Sequence, residues 1–364
     1  MGIKIRNIGI VGCGKICDIY FQTLSKLENV DVRACADLVL ERAEEKAAKY
    51  NIPRACTVEE IMASDDIEII LNLTVPAAHY SIAKQALEAG KHVYNEKPFT
   101  NEREQGLEIL ELADKKGLLT GCAPDTVMGA GIQTCRKLID EGAIGRPLSF
   151  TAFMTSSGTE SWHPDPEFYY KTGGGPLFDM APYYLSALIT LLGPVHAVSG
   201  MASMPRKQRM ITSEPKKGQI IDVEVDTHVM SLIEMECRAM RTMVMSFDIW
   251  QSSLPRIEIY GSEGSLSVPD PNGFGGVVKL YTKDKKQWQD IGLIGGFAEN
   301  SRGIGVADMA ACIDSGYTHC ANGRMAYHVL DTMHSIINSS NQSKTLIVRS
   351  SCTKPRPFRQ INQP

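Results

Sequence analysis

The chain has 364 residues, 43% of them apolar, and its 38 basic against 42 acidic side chains leave a net charge of −4. That length exceeds one typical domain and allows sizeable cores, so two domains are expected. The charge balance offers no footprint for nucleic acid, and no apolar run approaches the ~18 residues that a membrane span requires.

The start, Met-Gly-Ile-Lys-Ile-Arg, leads into a strand without the apolar core of a signal peptide. Gly2 is not a good myristoylation start, because the Ser or Thr of that motif is missing at its usual place. Residues 5–11 form an apolar run of buried-strand length. The segment Gly12-Cys13-Gly14-Lys15-Ile16-Cys17 then opens a helix to about Leu27, and a second strand, Val30–Ala36, ends at Asp37. This is a βαβ unit with a dinucleotide fingerprint. Gly12 permits the tight turn, and Gly14 lets a pyrophosphate approach the backbone of the Gly12–Ile16 turn at the helix N-terminus. Asp37, 23 residues after Gly14, is placed to accept from ribose hydroxyls, and its charge would repel a 2′-phosphate, so NAD is the expected cofactor. Cys17 replaces the third glycine, which predicts slightly looser packing of helix on strand.

The alternation continues through a helix at Glu41–Tyr50 and another at Thr57–Ser64, with Thr57 as N-cap ahead of Glu59 and Glu60. A strand at Ile67–Leu73 ends in Thr74-Val75-Pro76-Ala77-Ala78-His79, and a helix follows. The strand His92–Asn95 ends in Glu96-Lys97-Pro98, and a helix at Asn101–Lys116 and a strand at Leu118–Ala123 complete the pattern. The expected fold of residues 1–124 is therefore a doubly wound α/β domain on a parallel sheet. Its strand ends bring Gly12, Thr74, Pro76, His79, Glu96 and Lys97 to one crevice. A Glu-Lys pair at the mouth of an apolar strand is a candidate for chemistry; a solvated ion pair would also account for it. His79 reads equally well as a plain helix-start residue.

From about Asp125 the texture changes. A helix at Ala130–Glu141 precedes strand-like runs at Leu148–Met154, Ala197–Met201, Thr227–Met235, Thr242–Trp250, Ile257–Gly261, Ser265–Val268 and Val277–Thr282. They are interrupted by one apolar helix, Pro182–Leu192, and followed by a helix at Met325–Ser339, a short run Leu346–Val348 and a basic tail. Residues 125–364 are thus expected to form an α+β domain on an open, mainly antiparallel sheet that binds substrate. An apolar face carrying Val229, Leu232, Met243, Met245 and Phe247 would need covering, which predicts a homo-oligomer, at least a dimer. Ten cysteines are scattered with no Cys-x-x-Cys spacing, as expected for reduced thiols in a cytoplasmic protein. No cluster has zinc-ligand spacing, so no metal is expected.

The most unusual stretch is Trp162-His163-Pro-Asp-Pro-Glu-Phe-Tyr169-Tyr170-Lys-Thr-Gly173-Gly-Gly175-Pro-Leu-Phe-Asp179-Met-Ala-Pro182-Tyr183. Asp179 and Tyr183 share a face if the helix already includes Asp179; if Pro182 is the first helical residue, Asp179 lies in the preceding turn. A phenol serves as general base only when a neighbouring cation lowers its pKa from ~10. Lys97 or an oxidised nicotinamide could do so. Alternatively, Asp179 caps the helix and Tyr183 is ordinary core. Trp162, Tyr169 and Tyr170 suit stacking on the C–H faces of a sugar, or are plain hydrophobic anchors. His163 is a further candidate for the site.

Taken in order, Gly12–Cys17, Asp37, Thr74–His79, Gly90–Pro98, Gly142-Ala-Ile-Gly145, Gly173–Asp179 and Ile259-Tyr-Gly-Ser-Glu-Gly264 resemble the Gfo/Idh/MocA oxidoreductases over nearly the whole chain. The resemblance implies a Rossmann domain, then an α+β domain whose sheet makes a subunit interface, and reversible hydride transfer between a nicotinamide and a sugar or cyclitol carbinol. It implies that Lys97 hydrogen-bonds the reacting hydroxyl and that Asp179 is the aspartate of an Asp-x-x-x-His motif. Here the sequence departs, with Tyr183 in place of the histidine base, as in dihydrodiol dehydrogenase and glucose–fructose oxidoreductase; His163 is the reserve base. The expected product is a keto-sugar, 3-keto-glycosides included. An NAD-using glycosidase that oxidises transiently and eliminates, or a non-catalytic dinucleotide-binding regulator, would present the same residues.

Overall fold

The computed structural model describes residues 4–237 and 240–358; Gly2 and the end of the basic tail lie outside that range. The first sheet contains β1 (Arg6–Val11), β2 (Val30–Ala36), β3 (Arg54–Cys56), β4 (Ile69–Asn72), β5 (His92–Asn95) and β6 (Thr120–Cys122). All pairings are parallel, in the order β3-β2-β1-β4-β5-β6. Between the strands run α1 (Cys17–Leu24), α2 (Leu40–Tyr50), α3 (Val58–Ala63), α4 (His79–Glu88) and α5 (Arg103–Lys116). The short edge strand β3 has no signature in the sequence. At α3 the cap is reciprocal: Thr57 Oγ1 accepts from the Glu60 amide at 3.2 Å, and the Glu60 carboxylate accepts from the Thr57 amide at 2.8 Å. Cys17, where a third glycine would stand, is wholly buried and its thiol donates to the Gly14 carbonyl at 2.9 Å.

The chain then runs through α6 (Ala130–Asp140), β7 (Pro147–Thr155), α7 (Gly175–Leu192), β8 (Val195–Ser203), β9 (Gln208–Met210), β10 (Ile220–Asp222), β11 (His228–Met235) and β12 (Met240–Ser246). After these come β13 (Ile257–Gly261), β14 (Gly264–Val268), β15 (Val278–Thr282), β16 (Trp288–Ile291), α8 (Ile304–Cys312), α9 (Gly323–Gln342) and β17 (Leu346–Ile347). A nine-stranded sheet takes the order β16-β15-β14-β13-β7-β12-β11-β8-β17, while β9 and β10 pair separately. It is mixed: β7 and β12 are parallel, the other neighbours antiparallel. Among the described residues no helix is long and apolar enough to cross a membrane.

Three findings correct the sequence reading. First, α7 begins at Gly175, not at Pro182, so Asp179 is inside the helix and Pro182 interrupts it from within. Proline lacks the N–H that would meet the Phe178 carbonyl, so one bond of the helix ladder is missing there. Secondly, the apolar face offered for oligomerisation is the inner one. Along β11 burial alternates with the strand period, and Val229, Met243, Met245 and Phe247 pack in the core under α7 and α9. Leu232 alone of the five points outward, 61% exposed. Thirdly, α8 was not foreseen. Ile304, Val306, Ala307 and Met309 join Ile8, Ile10, Tyr20 and Leu24 in one core cluster, so the late chain completes the core of the first sheet.

Candidate active site

The crevice begins at the β1–α1 turn. Gly12 has φ +104, and a side chain there would lie 2.6 Å from the Leu73 backbone, because the turn passes directly over the end of β4. Gly14 is the opposite case: nothing lies within 4 Å of where its Cβ would be. Gly14, Lys15 and Ile16 are exposed, and among the described residues their amides find no protein acceptor. Such a turn fits a diphosphate. Asp37 braces it: Oδ2 accepts from the Cys13 amide at 2.8 Å and Oδ1 from the Val39 amide at 3.0 Å. Each oxygen keeps a lone pair for a ribose hydroxyl. Thr74 and Pro76 are half-buried on the opposite rim, with Thr74 Oγ1 donating to Asn72 Oδ1 at 2.7 Å.

At the end of β5, Lys97 meets α7. Its Nζ donates to Asp179 Oδ1 at 2.6 Å and to the Asp179 carbonyl at 2.8 Å. It also lies 5.3 Å from the centre of the Tyr183 ring. The helix geometry explains the meeting, since Asp179 and Tyr183 are one turn apart on one face. Burial works against the charge of Lys97, but Asp179, followed by Tyr183 and Glu96, outweighs it and holds the amine well above its ordinary pKa. Lys97 is a fixed cation. Burial outweighs the opposing pull of Lys97 and leaves the Tyr183 phenol above its ordinary pKa.

The loop ahead of α7 supplies an aromatic wall. The His163 ring lies 5.4 Å from those of Trp162, Phe168 and Tyr169; Trp162 is 61% and Phe168 50% exposed. Tyr169 is half-buried and lies within the field of Asp179, Lys97 and Tyr183; burial first, then Asp179, pushes its phenol up to about 12. His163 Nδ1 accepts from the Asp165 amide at 3.0 Å. That bond assigns the proton of the neutral ring to Nε2, so His163 offers a donor and no free lone pair. Its candidacy as base is weakened accordingly.

Three other sequence candidates are placed differently from expectation. Tyr170 is fully buried, its hydroxyl donating to Glu160 and accepting from the Thr159 amide, with Arg209 stacked 5.0 Å away. Tyr169 and Tyr170 are successive residues of a 3₁₀ turn, Glu167–Tyr170, whose side chains point about 120° apart, and Tyr170 has no face for a sugar. His79 is also fully buried. Its Nδ1 lies 2.6 Å from the Pro98 carbonyl and its Nε2 3.1 Å from that of Thr74. It ties the two rim turns together and leaves no ring edge for a cofactor. Glu96 turns inward, Oε1 accepting from Tyr20 Oη at 2.7 Å and Oε2 from the Lys97 amide at 2.8 Å.

Sequence reasoning missed one support. Arg209, 3% exposed, pairs with Glu160 at 2.7 Å and with Asp248, and donates to the Ser157 carbonyl at 3.0 Å, pinning the base of the aromatic loop.

Comparison with known proteins agrees with this geometry. Residues 6–123 match the family model described as an oxidoreductase family with an NAD-binding Rossmann fold, and residues 132–267 match the Gfo/Idh/MocA C-terminal domain. The chain belongs to the Gfo/Idh/MocA family. Its first sheet is that family's NAD-binding Rossmann fold. Among relatives of this Gfo/Idh/MocA chain, uncharacterized oxidoreductase C115.03 of Schizosaccharomyces pombe is 25% identical over 57% of the chain and 58% of its own length. The inositol 2-dehydrogenase/D-chiro-inositol 3-dehydrogenase of Lactiplantibacillus plantarum is 32% identical over 40% of the chain and 42% of its own. The chain thus spans about half the length of these relatives. A solved levoglucosan dehydrogenase, in complex with NADH, shares the fold with a TM-score of 0.81 at 21% identity, covering 95% of this chain and all of that one.

Proposed function

We propose that this protein is an NAD-dependent dehydrogenase acting on a secondary hydroxyl of a sugar, cyclitol or glycoside and leaving a keto-sugar. The observation that carries this reading is the Lys97 amine, fixed between the Asp179 carboxylate and the Tyr183 ring on the same sheet edge as the glycine turn. Inositol and levoglucosan dehydrogenases among the similar proteins support the substrate class.

When bound, NAD⁺ supplies the hydride acceptor. The chain's own part follows from its donors and acceptors. The amides of the Gly12–Ile16 turn would hold the diphosphate, Asp37 the ribose, and Thr74 and Pro76 the opposite rim. Lys97 spends two of its three N–H donors on Asp179. The third is free to meet the substrate hydroxyl and to stabilise alkoxide character as the proton leaves. Tyr183, once deprotonated beside the Lys97 cation, takes that proton on its phenolate oxygen. Asp179 positions the amine. Trp162, Phe168 and Tyr169 form a wall for the sugar's C–H faces, and His163 Nε2–H donates to one of its oxygens. The outer face of the large sheet, with Met201 76% and Leu232 61% exposed, supports a homo-oligomer, at least a dimer, to be read by light scattering.

The test uses purified protein stripped of nucleotide, supplied with NAD⁺ and a panel of hexoses, inositols and aryl glycosides. Stoichiometric NADH with a product two mass units lighter is the expected result. Release of aglycone without net NADH would point instead to the redox glycosidase, and NAD binding without any turnover to a regulator.

A further inference from the structure

The aromatic wall hangs from a loop whose two ends meet on one buried side chain. Arg209 belongs to β9, in the small hairpin that stands apart from both large sheets. Its Nη1 donates to the Ser157 carbonyl at 3.0 Å and to Glu160 Oε1 at 2.7 Å, where the loop begins. Its Nη2 donates to the Phe247 carbonyl at 2.9 Å and to Asp248, just past β12. The guanidinium carbon lies 5.0 Å from the centre of the Tyr170 ring, where the loop ends. The Tyr170 hydroxyl closes the junction, donating to Glu160 and accepting from the Thr159 amide at 3.0 Å.

The fit is close. Gly158 has φ +110, and a side chain there would overlap Glu160, Arg209 and Tyr170 together. A planar, forked cation suits such a junction, because a single ammonium cannot face two carboxylates and two carbonyls at once. The same hairpin holds the loop further out. The Glu160 carbonyl accepts from the Thr212 and Ser213 amides at 2.9 and 3.1 Å, and Ser213 Oγ donates to the His163 carbonyl at 2.5 Å. Beyond that point the grip weakens. Lys216 pairs with Glu167 at 2.6 Å and with Asp165, but Asp165 faces solvent, so that pair adds little. Residues 161–169, which carry Trp162, His163, Phe168 and Tyr169, are thus framed by a buried hub and tied loosely at the tip.

We propose that Arg209 is a positioning residue for substrate selectivity: it fixes where the aromatic wall stands over the crevice and so favours ligands with an apolar substituent on the reacting ring. The outermost rings, Trp162 and Phe168, are 61% and 50% exposed and have apolar faces to offer. A wall already in place binds without the cost of ordering the loop at each encounter. Lys97, Asp179 and Tyr183 stand on β5 and α7, which supply none of the hydrogen bonds of Arg209. Its loss should therefore weaken binding and spare the chemical step. The role rests on the reading of the crevice as a sugar site.

The first test needs no substrate. With Trp250→Phe and Trp288→Phe, both at exposed positions, Trp162 is the one indole left of three. Arg209→Lys, which keeps the charge but not the fork, is expected to lower the fluorescence anisotropy of Trp162 by freeing the loop. Glu160→Gln, which keeps the shape of the hub with one charge fewer, should do the same and stands in if the lysine variant does not fold. With NAD⁺ and the panel described above, KM for aryl glycosides should rise about tenfold while kcat stays within about twofold. For inositols both constants should hold. An unmoved anisotropy, an equal rise of KM across the panel, or a loss of kcat as large as the rise of KM overturns the selectivity role and leaves the proposed dehydrogenase standing. So does an unsubstituted protein that oxidises inositols and rejects aryl glycosides. An unsubstituted protein that oxidises no member of the panel overturns the dehydrogenase reading, and the selectivity role with it.

Discussion

The two halves of the crevice are built in different ways. The glycine turn is made by neighbours in sequence: Gly12, Gly14 and the Cys13 amide lie within three residues, and Asp37 reaches them from the next strand. The reacting end is made by four segments, with Lys97 from β5, Asp179 and Tyr183 from α7, the aromatic wall from the loop before it, and Arg209 at the base of that loop from β9. Local construction tolerates change elsewhere. Convergent construction depends on every element that holds a segment in place.

The sharpest way to break this comparison is Lys97→Ala. On the proposed reading, removing the cation that would meet the developing alkoxide should lower kcat about a thousandfold, while NAD affinity, read by nicotinamide fluorescence, stays within a few-fold. An equal loss of affinity would show that the two halves are not separable. Tyr183→Phe comes next, with kcat expected to fall about a hundredfold and KM to change little.

Asp179→Asn sharpens the electrostatic part. Asp179 holds the Lys97 pKa above its ordinary value, so without it the amine loses its proton at lower pH. The proposed activity should then fall off on the alkaline side at a pH where the unsubstituted protein retains it. The same sign governs stability: the ion pair's contribution is present below the ordinary lysine pKa and is lost as pH rises through the raised one.

Within the turn, Gly12→Ala forces a Cβ against the Leu73 backbone at positive φ and should cost about 1–3 kcal/mol of stability, seen as a lower melting temperature. Gly14→Ala meets open space and should leave melting unchanged while weakening NAD binding about tenfold by filling the cradle. The smallest effect is at the wall, where Trp162→Ala should raise KM several-fold with kcat preserved.

The contrast also explains what was legible in the sequence. The βαβ rhythm, the glycine turn and Asp37 can be read because strand period, helix period and motif spacing are local. The Asp179–Tyr183 pair was visible at its four-residue spacing, although Pro182 suggested a helix starting too late; apolar packing along α7 overrides the proline. Tyr169 and Tyr170 are indistinguishable in sequence, and only the turn decides which faces the cleft. The inner and outer faces of β11 differ by one residue of register, so the apolar set alone could not say which side is covered. Arg209 acts through contacts across tens of residues, which leave no periodic trace.

The late helix α8 carries a consequence for how this protein is made. The ribosome releases the Rossmann strands long before it synthesises Ile304, Val306 and Met309, the residues that close over Ile8, Ile10 and Tyr20. Until then the nascent nucleotide-binding half carries an open apolar flank, a natural address for a chaperone. A fragment ending at residue 124 should bind a hydrophobic dye and release it when a peptide spanning residues 300–322 is added; a fragment that never binds the dye would show that the flank closes by itself.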